Sequence, residues 1–228
     1  MSLVTNELDL LRTLVDLSAH PRVIELGCGA AQLSRQLLAA FPHSSVTALE
    51  VDERQHAKNL AKPQDRLQFV KAGAQDVPAG DGAFDLAIML KSLHHVPLDV
   101  LPRALAEVHR VLRPDGLLYV SEPVFAGPLN EVMRIFHDEE HVRAVALQAV
   151  HTAVASGVWE QVTEHHFEMP VHYASFEEFE QRQIAVTFVD HQLDAATLER
   201  VRAQFMPHLK ADGAHFVRPM RVNLLRRC

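Results

Sequence analysis

The chemistry-bearing residues of the chain gather in a few short stretches. A strand-like run, RVIEL at 22–26, passes into Glu25-Leu26-Gly27-Cys28-Gly29-Ala30-Ala31, and a helical pattern opens at about Gln32. Small residues at such a turn let backbone N–H groups and a helix N-terminus approach a ligand closely. A glycine-rich strand-to-helix turn alone serves many nucleotide and cofactor sites. Glu50 narrows the choice, because it ends the next strand, where a carboxylate can accept both hydroxyls of an adenosine ribose. It could also cap the following helix, although Asp52 is better placed for that. In a dinucleotide fingerprint the third glycine would fall at Gln32, whose side chain would crowd a pyrophosphate. Cys28 reads as a small turn residue rather than a nucleophile.

A second group follows the apolar run FDLAIML at 84–90. His94 and His95 lie just after it, at the edge where ligands of such sheets sit. An imidazole is a candidate general base near neutral pH, and the competing reading is a structural turn with one ring bonded to backbone. Lys91 could bind an anionic substrate or reach solvent, and Glu122, ending the strand at 116–122, points at the same edge as a candidate substrate contact. His137-Asp138-Glu139-Glu140-His141 places two histidines at i and i+4. The metalloprotease pattern needs Glu directly after the first His, and Asp138 stands there with no third ligand by spacing. A charged helix face, with no metal, is expected. His165, His166 and His172, on a half-exposed strand, are read the same way.

The elements that must hold these residues alternate between helical and strand-like periodicity, the pattern of a parallel sheet wrapped by helices. Strands are expected at about 22–26, 46–50, 67–71, 84–90 and 116–122, with helices at about 3–18, 30–41, 53–61 and 98–112. The runs at 46–50 and 84–90 are almost wholly apolar, as for central strands covered on both faces. Beyond Pro123 a long helical pattern spans 127–157, then a half-exposed strand 161–173, helical patterns at 175–190 and 194–211, and a last alternating run at 216–226. With 228 residues, 48% hydrophobic and 22% charged, the chain has the composition of one globular domain. A net charge of −7 opposes docking on nucleic acid or an anionic membrane. No run reaches the roughly 20 apolar residues of a membrane helix. The N-terminus lacks a signal-peptide pattern, and two cysteines at opposite ends make no disulfide framework, so a cytoplasmic location is expected.

The stretches VIELGCGAA, VTALEVD, DVPAGDGAFDLAI, LKSLHHV and EVHRVLRPDGLLYVSEP occur in this order across about 20–125. Here the chain resembles class I S-adenosylmethionine-dependent methyltransferases of the small-molecule type. The resemblance implies an α/β, Rossmann-like, doubly wound fold: a mostly parallel seven-stranded sheet with an antiparallel last strand and helical lid insertions. It implies S-adenosylmethionine as cofactor, with Glu25, Gly27, Cys28 and Gly29 lining its methionine part, Glu50 on the ribose and Val51 on the adenine face. Leu90, at the end of the fourth strand, joins that set. The family usually has an Asp and a small residue after the third strand, whereas this chain reads Ala72-Gly73-Ala74-Gln75-Asp76, so the adenine contact passes to the Ala74 backbone and the Gln75 side chain. Ala31 stands where many members carry a third glycine.

A single domain, 1–228, is therefore expected, with core at about 20–125 and 161–228 and a lid from 123–160 and 175–211. Phe125, Met133, Phe136, His137, Tyr173 and Phe176 are the candidates for an acceptor pocket, with core packing the competing role for each aromatic. A small organic acceptor fits this mixed lining better than a protein tail or a flipped base. A cofactor-holding protein without turnover, and less readily a nicotinamide-dependent oxidoreductase, remain alternatives. The acceptor and the oligomeric state are not legible.

Overall fold

The computed structural model describes residues 2–186 and 193–228. The short strand β1 (Ser2–Leu3) and helix α1 (Glu7–Leu14) precede β2 (Arg22–Leu26), α2 (Gln32–Ala40), β3 (Ser45–Leu49), α3 (Glu53–Leu60), β4 (Leu67–Val70), β5 (Phe84–Leu90), α4 (Leu101–Val111) and β6 (Leu112–Pro123). Then come α5 (Pro128–Met133), α6 (Glu140–Ala155), β7 (Trp159–Tyr173), α7 (Phe176–Phe179), α8 (Ala195–Phe205), β8 (Leu209–Lys210) and β9 (Gly213–Arg227). The sheet order is β1-β7-β9-β6-β5-β2-β3-β4, with β8 beside β9. Strands β2 to β6 pair in parallel, and β9 runs antiparallel to both β6 and β7. The expected mostly parallel, seven-stranded arrangement with an antiparallel last strand is present, extended by two strands of two residues each.

Both faces of the sheet are covered, which is why its central strands are apolar throughout. Leu8 and Leu11 of α1 and Leu33 and Leu37 of α2 pack on one face against Val23, Leu86 and Tyr119. Leu105 and Val108 of α4 and Ala146 and Val150 of α6 pack on the other, against Ile24, Ala87 and Leu118. The long β7–β9 ladder carries its far end, Tyr173 opposite Ala214, into a separate cluster with α5, α7 and α8. That cluster is the core of the lid.

Several boundaries differ from the sequence reading. The expected helix at 127–157 is two helices, and the turn 134–139 between them swings Glu139 inward to meet buried imidazoles. The pattern at 194–211 stops as α-helix at Phe205, because Pro207 cannot donate the next backbone bond, and the chain then enters β8. The pattern at 175–190 forms α7 and one wide turn over Glu180–Ile184, and its last part, 187–190, lies outside the described residues. The first helix is shorter than 3–18 because Ser2 and Leu3 pair with β7. Strand β6 begins at Leu112, four residues early, and its ladder with β5 shifts register between Phe84 and Leu86.

The buried Tyr119 hydroxyl of β6 donates to Glu7 Oε1 at 2.7 Å, and the other oxygen of that buried carboxylate has no protein donor. Tyr119→Phe should therefore cost about 1–3 kcal/mol in urea unfolding, since a desolvated carboxylate loses its hydrogen-bond donor. A loss below about 0.5 kcal/mol would show that the bond does not help hold α1 on the sheet.

Candidate active site

The parallel strands end together, and the bend after β2 is held between its two neighbours. Gly27 and Cys28 donate their N–H groups to Leu49 O at the end of β3, at 3.0 and 2.9 Å. On the other side Ser92, just past β5, donates its hydroxyl to Leu26 O at 2.7 Å. Gly27 sits at φ +72°, and a Cβ there would lie 2.7 Å from Ser92 Cβ, so glycine is required by both conformation and space. Gly29, at φ +52°, has no atom within 4 Å of an added Cβ. The outer side of the bend is open.

Glu50 governs this edge. Its Oε2 accepts from Gly29 N–H at 2.8 Å, and its Oε1 accepts from Val51 and Asp52 N–H at 2.8 and 2.9 Å. An ionised carboxylate has about four lone-pair directions, so capacity remains for a further donor. The cap of α3 is Asp52, which accepts from Arg54 N–H at 2.9 Å. Val51 is 63% exposed beside this carboxylate, an apolar side chain open to a ligand.

Glu25 is buried beneath the bend, where Ser34 of α2 donates to it. Burial raises its pKa to about 7 against the opposing pull of the Ser34 hydrogen bond. It fastens α2 to β2 from below. Burial likewise raises the pKa of the Cys28 thiol, which keeps it protonated and unreactive. Asn59 of α3 closes the set by donating to Gly29 O at 2.8 Å. Ala74 is buried, the Gln75 amide folds across Gly73, and Leu90 packs half-buried against the core. These residues suit an adenosine-type cofactor: a carboxylate at a strand end, an open glycine bend and an exposed apolar neighbour.

Beside this edge lies a cavity of about 230 Å³ under the lid, with Lys91, His94, His95, Glu139, Arg143 and Arg218 in its wall. His94 is the more deeply buried of the two adjacent imidazoles and is held on both ring nitrogens. Glu122 meets its Nδ1 and also accepts from Ser92 and Leu93 N–H at 3.1 and 2.9 Å, while Glu139 Oε1 lies 3.4 Å from its Nε2. The same Glu139 oxygen is 2.8 Å from His137 Nε2 and 4.0 Å from His95 Nε2, and Arg143 holds the other oxygen.

Burial opposes a charge on His94, yet the hydrogen bonds to Glu122 and Glu139 overcome it and raise its pKa to about 9. Partial desolvation and the neighbouring His94 charge together lower the pKa of His95 to about 4. Burial disfavours the charge on Glu139, but His137, His94 and Arg143 more than reverse this and hold its carboxyl well below the usual range. Two adjacent imidazoles thus take opposite states near neutral pH, one charged and one neutral. The ligating atoms of His94, His95 and Glu139 lie within 4.8 Å of one another. Both oxygens of Glu139 are already engaged by side-chain donors, so a shared-proton network accounts for the cluster.

The histidine pair read as i, i+4 does not share a helix face, because His137 precedes α6 and only His141 lies in it. Met133 and His137 line the cavity. Phe125 lies under the Arg134 and Arg143 guanidinium groups at 5.1 and 5.8 Å, and Phe136 meets Phe179 edge-on at 6.2 Å. Tyr173 and Phe176 are fully buried in the lid core among Phe179 and Phe205, so they stand outside the wall of this cavity. Sequence reasoning missed Glu139, Arg143, Arg182 and Arg218, which reach the cavity from a turn, a helix, a wide turn and the last strand. No local pattern marks them.

The fold is that of the Rossmann-like methyltransferases. A family model described as a methyltransferase domain matches residues 23–116. The chain is 30% identical over 122 residues to the methyltransferase GfsG of Streptomyces halstedii, covering 52% of this chain and 43% of that protein. It is 32% identical over 113 residues to a trans-aconitate 2-methyltransferase of Deinococcus radiodurans, covering 50% and 42%. The matches thus span less than half the length of these two relatives. A crystal structure of an S-adenosylmethionine-dependent methyltransferase from Mesorhizobium loti superposes with a TM-score of 0.55 at 17% identity, over 97% of each chain. Residues 23–116 are thus similar to a methyltransferase domain, and the whole chain shares the fold of such enzymes.

The proton states set the pH behaviour of the lid. The raised His94 pKa gives stability that is fully present below its ordinary 6.5 and is lost as pH rises through about 9. The depressed Glu139 carboxyl gives stability present above its ordinary 4.5 and lost as pH falls below it. Hydrogen exchange, corrected for intrinsic rate, should show residues 139–143 losing protection as pH passes 9, and Glu139→Gln should lack that protection already near neutrality. Protection unchanged across that range would refute the ion-paired lid.

Proposed function

We propose that the chain transfers a methyl group from S-adenosylmethionine to a small organic acceptor held under the lid. The observation that carries this reading is the Glu50 carboxylate, fixed by three backbone N–H groups beside the open bend at Gly29. In this reading Glu50 accepts the ribose hydroxyls, Val51 covers the adenine face, the Ala74 backbone and Gln75 face the adenine edge, and Gly27 to Gly29 admit the amino-acid tail. The cofactor supplies a methyl group already activated on a positively charged sulfur. The protein then supplies alignment and exclusion of water.

Proton removal from a neutral acceptor falls to His95. Its imidazole is neutral at working pH and reaches the cavity, whereas His94 holds its proton between two carboxylates. His94, Glu122 and Glu139 are positioning residues in this scheme. Lys91 and Met133 bound the acceptor with them. The two thiols, Cys28 buried and Cys228 exposed, are unpaired, which suits the cytoplasm. Among the described residues no helix is long and apolar enough to cross a membrane.

Calorimetry with S-adenosylhomocysteine and with NADH separates the cofactor classes; tight binding of NADH alone would end this reading. Glu50→Ala should weaken S-adenosylhomocysteine binding by at least about 1.5 kcal/mol through lost charge-assisted bonds. With an acceptor found by screening metabolite extracts for label from methyl-labelled cofactor, His95→Ala should slow transfer by about 10²–10⁴-fold without weakening cofactor binding. The wild-type rate should stay flat as pH falls from neutrality until it approaches about 4, where an ordinary histidine base would already have failed near 6.5.

A further inference from the structure

Four lysine and arginine side chains reach the lid cavity, and two of them form no ion pair among the described residues. Arg143 is paired with Glu139, and Arg182 with Glu178. Lys91 and Arg218 form no ion pair among the described residues. Each has one contact of its charged end: Lys91 Nζ lies 3.8 Å from Met169 Sδ, and Arg218 Nη2 lies 3.8 Å from Met133 Sδ. A thioether sulfur is a weak acceptor and cannot replace water or a carboxylate around a full charge. Removing an ion from water without a counter-ion is strongly unfavourable, and charges kept in a protein interior are normally paired.

The two charges also converge. Arg218 stands directly opposite Met169 in the β7–β9 ladder, and Lys91 reaches that same Met169. Burial lowers the pKa of Lys91 and the Arg218 charge lowers it further, against a weaker opposing pull from Glu7 and Glu122, so the pair repel each other across the cavity wall. The backbone at Lys91 is held at φ +53°, a conformation that a side-chain-bearing residue seldom adopts unless its surroundings impose it. Glu7 and Glu122 attract Lys91, and Glu139 attracts Arg218, but none of these carboxylates comes within ion-pair distance, so two half-buried, mutually repelling cations beside a strained attachment point leave room for an anion between them.

We propose that Lys91 and Arg218 form an oxyanion-binding subsite, so that the acceptor is a small molecule bearing a carboxylate or a phosphate. Its role in methyl transfer rests on the methyltransferase reading; the subsite itself does not. The bound oxyanion serves as the handle and not as the methylated atom, because ion pairing to two cations withdraws the electron density that a nucleophile needs. A separate nucleophilic group of the same molecule then lies on the His95 side of the cavity.

Thermal unfolding of the full chain tests this, with S-adenosylhomocysteine binding measured separately by calorimetry. The probes are citrate, glycerol phosphate and glycerol at low millimolar concentration, against wild type, Lys91→Met and Arg218→Met. Citrate or glycerol phosphate should raise the wild-type melting temperature along a saturating curve, and glycerol should not; the one saturating at lower concentration identifies the oxyanion. Without probe, both variants should unfold at the wild-type temperature or above it, because each removes a half-buried charge that forms no ion pair and relieves the repulsion between the two. Their apparent Kd for the oxyanion should rise at least about tenfold, the loss of one charge-assisted hydrogen bond. Variants that unfold well below wild type would show the cations to be held by the chain itself, and a wild-type curve that fails to saturate, or that both variants reproduce, would equally overturn the subsite. If S-adenosylhomocysteine binds while neither oxyanion does, the subsite falls and the methyltransferase reading stands. Saturable oxyanion binding without S-adenosylhomocysteine binding keeps the subsite and removes the methyltransferase reading.

Discussion

The site depends on one close fit, the Gly27 bend seated between the last carbonyl of β3 and Ser92, the second residue after β5. Leu49 O takes two N–H groups of the bend, and Ser92 presses where a Cβ would stand. Because β2, β3 and β5 are parallel and adjacent in the sheet, their ends necessarily meet at one edge. The bend is therefore rigid on its inner side and open on its outer side. Glu50 then fixes the outer edge by accepting from Gly29, and Glu25 fixes the helix that follows. Ligand-facing backbone is thus set by contacts that no ligand has to supply.

The second half of the site is electrostatic. A row of alternating charge runs from Glu122 through His94 and Glu139 to Arg143, and it joins the sheet to the lid. Such a row is stable only when every member is paired, since each partner offsets the desolvation of the next. Partial desolvation and the adjacent His94 charge leave His95 neutral, so of the two neighbouring imidazoles in the cavity wall the more exposed one is free of the proton that its buried neighbour holds.

The chain as a whole carries a net charge of −7, yet the lid cavity gathers Lys91, Arg143, Arg182 and Arg218. Overall charge governs solubility and long-range encounter, while a concave site with low-dielectric walls is governed by its own few charges. A surface that repels polyanions and a cavity that favours a small anion are compatible.

Much of the fold was legible because its determinants are local. The apolar runs at 46–50 and 84–90 can be buried on both faces only in the middle of a wrapped sheet, and the glycines at 27 and 29 mark a turn by their backbone chemistry. The bend and Glu50 follow from the same local order, since each sits at a strand end. The lid was only partly legible: an unbroken helical pattern at 127–157 hides the turn that brings Glu139 inward, because the stabilising partner, His94, is distant in sequence. Composition and periodicity determined the sheet, its layers and the glycine bend. Tertiary structure alone decided which imidazole is charged, and which cations meet without an acid, because those outcomes depend on distances between β5, the turn before α6 and β9 that no local pattern encodes.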